Sequence, residues 1–242
     1  MHQIAATLSM LLAIQAIHAQ VNTPCVTTGT LYYAPKLSGE LFASSEMIDE
    51  TTYFSEEWLP GSIFLTNGEI VNNKLIRYNG LLDNLFWLEP KSERVIMLDK
   101  GSVQWFHFLD FQDDSTIYFR KIKIKRDIIS DTCEIFAQEV FAGEMSLFVA
   151  HNFIVQRKEL LHKDGIPYQK AIYEEEPVYY FRYADNKTVG LRFLTRKNLY
   201  AIFPESKAQL KQFLRENRQG KIWNHSELIK LAQFLNTLID TD

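Results

Sequence analysis

From Thr52 to about Phe193 the chain is cut into short strand-forming runs by Gly, Asn, Asp and Pro, and that punctuation constrains its fold more than any other feature. Residues 63–66 and 69–71 flank Asn67-Gly68. This dipeptide suits a two-residue type I′ hairpin, whose central residues both need positive φ. Strands are expected next at 74–78, 84–88, 94–98 and 102–109, the last two joined by a turn at Asp99-Lys100-Gly101. Residues 134–141 and 145–156 read as a hairpin around Ala142-Gly143-Glu144. Residues 178–183 and 189–194 read as another, around Ala184 to Lys187. Many short strands at this spacing predict an α+β protein whose larger part, residues 51–203, is predominantly antiparallel β, a sandwich or open barrel.

Residues 116–128 carry a more specific signal. Ile117 and Phe119 share a strand parity with Lys121, Lys123 and Lys125, whereas Tyr118, Ile122 and Ile124 share the other with Arg120. The apolar face therefore switches near Arg120, which a β-bulge or a bend would explain, since one extra residue reverses the faces beyond it.

Beyond Pro204 the period changes. Leu210, Phe213 and Leu214 fall at helical spacing over 206–217, with Gly220 close behind. Asn224 stands three residues before Glu227, the spacing of a capping box. Leu228, Leu231, Leu235 and Leu238 mark one face of a last helix. Residues 204–242 are thus expected to form a C-terminal helical hairpin docked on the same domain. A transmembrane β-barrel would not normally end in two polar-faced helices.

The first nineteen residues contain no Asp, Glu, Lys or Arg, and an apolar run from Leu8 to Ile17 ends near Ala19. This is the form of a cleavable signal peptide, and it is too short to span a bilayer. Export to the periplasm or beyond is the expectation, followed by a loosely ordered segment over 20–50 with Tyr32-Tyr33 as a short strand. The net charge of −4 argues against a nucleic-acid partner, which usually needs a basic surface. Cys25 and Cys133 could form one disulfide in an oxidising compartment. Asn186 and Asn224 each begin a glycosylation sequon.

Gly61-Ser-Ile-Phe-Leu-Thr-Asn-Gly68, Leu75-Ile-Arg-Tyr-Asn79 and the terminal helical pair resemble a group of uncharacterised exported proteins of Gram-negative envelopes. The resemblance implies export and a similar fold, and carries no activity or site.

Several side-chain groups bear on chemistry. His107, His151, His162 and His225 are widely spaced and come with no cysteine pair, so no metal or cofactor is expected. Asp113 and Asp114 near His107 could bind Ca²⁺ or supply a general base, and otherwise form a polar loop. Glu174-Glu175-Glu176 could offer a carboxylate pair, and otherwise connect two strands. Lys121, Lys123 and Lys125 could meet an anionic polymer, and otherwise guard an edge against aggregation. Trp58, Trp87, Trp105 and Trp223 with Tyr179 and Tyr180 could stack on sugars, and otherwise belong to the core. The expected function is a non-enzymatic binding or structural protein of the envelope, its partner a protein, glycan or lipid. The alternative is a hydrolase of an envelope polymer working through Asp113, Asp114 and His107.

Overall fold

The computed structural model of this 242-residue chain describes residues 37–42, 49–110, 115–125, 132–217 and 223–239. The expected signal peptide, Cys25, Tyr32-Tyr33, Asp113 and Asp114 lie outside the described residues.

Every strand pair is antiparallel. The strands are β1 (Gly39–Leu41), β2 (Leu59–Leu65), β3 (Ile70–Asn79), β4 (Asn84–Glu89), β5 (Arg94–Leu98), β6 (Val103–Asp110), β7 (Ser115–Lys125), β8 (Thr132–Phe141), β9 (Met145–Ala150), β10 (Phe153–Lys163), β11 (Ile166–Glu175), β12 (Val178–Tyr183) and β13 (Thr188–Leu191). Eleven of them make one open sheet in the order β1-β5-β4-β3-β2-β6-β7-β8-β9-β12-β13, and β10 and β11 pair only with each other.

The sheet coils on itself, because bulky residues on one face of β3 meet those of β7 and β8. Tyr78 lies 4.9 Å from Phe119 and 6.3 Å from Phe136, ring centre to ring centre, although β2 and β6 separate β3 from β7 in the sheet. Phe106 sits at the middle, stacked on Phe119 at 5.0 Å and edge-on to Phe136 at 5.2 Å. One carboxylate locks this coil. Asp83 accepts hydrogen bonds from the Tyr78 hydroxyl (2.8 Å) and the Phe136 N–H (3.1 Å), and pairs with Lys100. Lys100 also donates to the Glu134 carbonyl at 2.8 Å. The turn after β3 is thereby tied to β8. Burial, and then the Asp83 charge, push the Tyr78 phenol well above its ordinary range.

The β2–β3 hairpin forms at Asn67-Gly68, but not as a type I′ turn. Of the two residues only Gly68 has positive φ, +88°. Gly68 N–H donates to Leu65 O (3.0 Å) and Leu65 N–H to Glu69 O (2.9 Å). That is a three-residue loop, a type I turn closed by a left-handed glycine. No bulge occurs at Arg120 either. The ladders on both sides of β7 run unbroken, from Asp110↔Ser115 to Trp105↔Arg120 and from Tyr118↔Glu139 to Lys125↔Thr132. Alternation is kept, and it is the burial that changes sides. Ile117 and Phe119 enter the aromatic core, whereas Ile122 and Ile124 pack on the opposite face with Ile135, Ala137 and Phe148.

A third core lies under the C-terminal helices α1 (Arg196–Ile202), α2 (Lys207–Asn217) and α3 (His225–Ile239). Their Leu199, Leu210, Leu214, Leu228, Leu231 and Leu235 bury Met145, Leu147, Val149, Tyr179 and Phe181. There are three helices where two were expected, and α1 falls inside the stretch read as β. Thr195 caps it by accepting from Asn198 N–H at 3.2 Å, and Pro204 stops it. The box at Asn224 forms as expected: Asn224 Oδ1 accepts from Glu227 N–H (2.9 Å) and Glu227 Oε2 from Asn224 N–H (3.1 Å). Asn236 of α3 docks the helix on β9, donating to Met145 O (2.8 Å) and accepting from Met145 N–H (3.0 Å).

Candidate functional site at the base of a projecting ribbon

The stretch 145–156 is not one strand. His151 and Asn152 leave the ladder after β9, and the chain departs as β10 and returns as β11. The turn between them, Asp164-Gly165, has positive φ at both residues, +50° and +80°. The type I′ geometry assigned to Asn67-Gly68 is therefore found here, where Asp-Gly serves it equally well. No residue of the ribbon joins any of the three cores. Leu160 (64% exposed), Ile166 (69%) and Tyr168 (44%) lie open to solvent on it.

At its base the ribbon is fastened. His151 Nδ1 is 2.6 Å from Glu175 Oε1 on β11, and its Nε2 is 3.0 Å from Gln138 Oε1 on β8. The Phe54 ring stands edge-on to the imidazole at 4.9 Å. Glu176 N–H donates to Asn152 O at 2.7 Å. Gly80 passes so close that a Cβ there would sit 2.2 Å from His151 O, inside any allowed contact.

Two clefts flank the base. Phe153, Tyr173 and Glu175 face one, of about 300 Å³, which Thr51, Tyr53, Phe54 and His151 complete. Ile154, Glu174 and Glu176 border the other, of about 540 Å³, together with Pro177, Tyr179, Arg192, Phe193 and Trp223, and Glu175 lies between the two and lines both. Burial, and then Glu175, push the Tyr179 phenol upward. Neither cleft presents an activated nucleophile. Both His151 nitrogens are engaged, and the Thr51 hydroxyl donates to Asp49 at 2.9 Å.

The candidates raised from the sequence are dispersed. His107 lies on the sheet face opposite the aromatic core, within 5.5–6.2 Å of the Tyr118, Trp105 and Phe64 rings. Its Nδ1 is buried with no hydrogen-bond partner among the described residues, and burial lowers its pKa. The Glu174–176 triplet is divided, with Glu174 bonded to Gln156, Glu175 to His151 and Glu176 to Arg192. Lys121 lies 5.7 Å over the Phe136 ring and Lys123 faces Glu134 at 3.9 Å, while Lys123 and Lys125 are exposed. Trp223 is buried and donates to Leu194 O at 3.0 Å, Tyr179 is buried, and Trp87 packs against the aromatic core. Trp105 is half-buried, stacked on Phe64 with Arg120 5.1 Å away. Cys133 carries a free thiol. Among the described residues no group of His, Cys, Asp and Glu could hold a metal ion, and no helix is long and apolar enough to cross a membrane.

Sequence reasoning missed the ribbon. Its signal was Asp164-Gly165 between two largely polar runs. The chain matches no protein-family model, no curated protein and no solved structure.

Proposed function

We propose that this chain is an exported, non-enzymatic binding protein of the cell envelope, and that it engages a partner protein through the β10–β11 ribbon. The observation that carries this reading is the ribbon itself. A two-stranded hairpin is marginal alone, yet this one stands free of every core with large apolar side chains in solvent. Exposed apolar surface on a projecting element suits a protein interface. An open strand edge offers main-chain groups for β-augmentation. The engaged state of both His151 nitrogens favours binding over catalysis. The charge-free apolar leader supports export.

Photo-crosslinking in the native cells tests this. A photoreactive residue at Leu160 should give a discrete adduct that vanishes when the ribbon is shortened, and one at Lys211 on α2 should not. A folded protein giving no adduct from positions 160, 166 and 168 refutes the ribbon as the interface. Intact Met1 in a soluble cytoplasmic fraction refutes export.

A further inference from the structure

The smaller cleft has a composition that selects a kind of ligand. Its walls bring together the aromatic side chains of Phe54, Phe153 and Tyr173 with the carboxylate of Glu175. The faces of aromatic rings are electronegative and attract cations. A carboxylate adds net charge of the same sense, so an anion is repelled. The nearby cations are already matched by acids: Arg77 pairs with Glu50 at 2.7 Å, and Lys170 with Asp49 at 3.7 Å. Glu175 spends Oε1 on His151, and Oε2 accepts no hydrogen bond from the described residues. Its side chain is 45% exposed, within reach of a ligand entering from solvent. The same corner already holds one cation on a ring, since the Arg77 guanidinium lies 4.0 Å from the Tyr53 ring centre. A volume of about 300 Å³ accommodates a methylated ammonium group and a short chain, and lies at the lower end for small-molecule pockets.

We propose that this cleft binds a small alkylammonium cation, with Phe54, Phe153 and Tyr173 packing around the charged head and Glu175 neutralising it. A trimethylammonium group has no N–H to satisfy, which suits a site rich in rings and poor in acceptors. The group can arrive on a free molecule or on a lipid headgroup, and the chemistry of recognition is shared.

Calorimetric titration of the full chain with choline chloride tests the site. Its neutral isostere, 3,3-dimethylbutan-1-ol, serves as the control, and flotation with phosphatidylcholine vesicles separates a lipid-borne group from a free one. Choline should bind at millimolar concentrations or below, at least roughly tenfold more tightly than the alcohol. Tyr173→Leu and Glu175→Gln should each weaken it, while Tyr173→Phe, which keeps the ring, should not. Binding to choline or to the vesicles with that pattern supports the site. Binding to neither, equal affinity for the alcohol, or indifference to both Tyr173→Leu and Glu175→Gln overturns it. Folding of each variant is checked by near-ultraviolet circular dichroism, and Glu175→Gln alone decides where Tyr173→Leu unfolds. The site does not rest on the ribbon's partner. Leu160→Ser should weaken the crosslink from a photoreactive residue at position 166 and leave choline binding unchanged, so the two readings fail separately.

Discussion

Gly68 turns the chain at φ +88°, and a Cβ built there would touch nothing within 4 Å. The constraint is therefore in the backbone alone. Gly68→Val should cost more than about 1 kcal/mol in urea denaturation, because a β-branched residue is forced into the left-handed region. An unchanged midpoint and slope would show that the turn tolerates it. Asp83 poses the opposite case, where the side chain is the constraint. Asp83→Ala strands the Phe136 N–H and leaves the Tyr78 hydroxyl only its 3.3 Å contact with Phe136 O, and should cost roughly 1–3 kcal/mol for the N–H left without a partner. His107 should leave its mark in the pH dependence. Burial lowers its pKa in the folded state, so below about pH 6.5 the unfolded chain binds the extra proton first. Stability should fall as pH drops through that range and be indifferent to His107 above it. His107→Gln should flatten the acid limb relative to the parent protein, and parallel curves would refute the role given to burial.

At the scale of elements, the ribbon and the main sheet should behave as separate structures. Replacing residues 157–172 by Asn-Gly should leave the urea midpoint of the remainder unchanged, because the three cores contain none of those residues. A loss comparable to a core truncation would mean the ribbon supports the sheet. The sequence shows the paired strands of the main sheet through their period-two burial, as at Phe106, Phe108, Ile117 and Phe119. It hides the ribbon for a physical reason. With neither face buried in a core, nothing demands alternation, and only Asp164-Gly165 betrays it. Helix α1 is hidden by its length, seven residues with Leu199 as its one buried side chain. The change of faces along β7 is legible, but its cause is not, since sequence alone cannot tell an inserted residue from a second core on the other side. The clefts were not legible at all. They join Phe54 to Tyr173 and Ile154 to Trp223, residues brought together only by the return of the ribbon to the sheet.

At the scale of the molecule, the helices are the cover of the third core. Leu231→Ala removes a fully buried side chain and should cost about 2–5 kcal/mol. A chain ending at Thr195 should bind hydrophobic dyes, since Leu147, Val149 and Phe181 lose their cover; one that stays monomeric and dye-free would mean the sheet closes without the helices. Strand β8 also has a place no other strand shares. It sends Phe136 into the aromatic core, Ala137 to the opposite face and Val140 under the helices. That placement has a kinetic consequence. Any partly folded chain that is to hold two cores at once must already have β8 in its ladder, so the rate-limiting encounter in folding should be the zippering of β7, β8 and β9. Chevron analysis should give high φ-values at Ala137 and Phe136 and low ones at Leu231, with truncations in β8 slowing folding and those in α3 chiefly hastening unfolding.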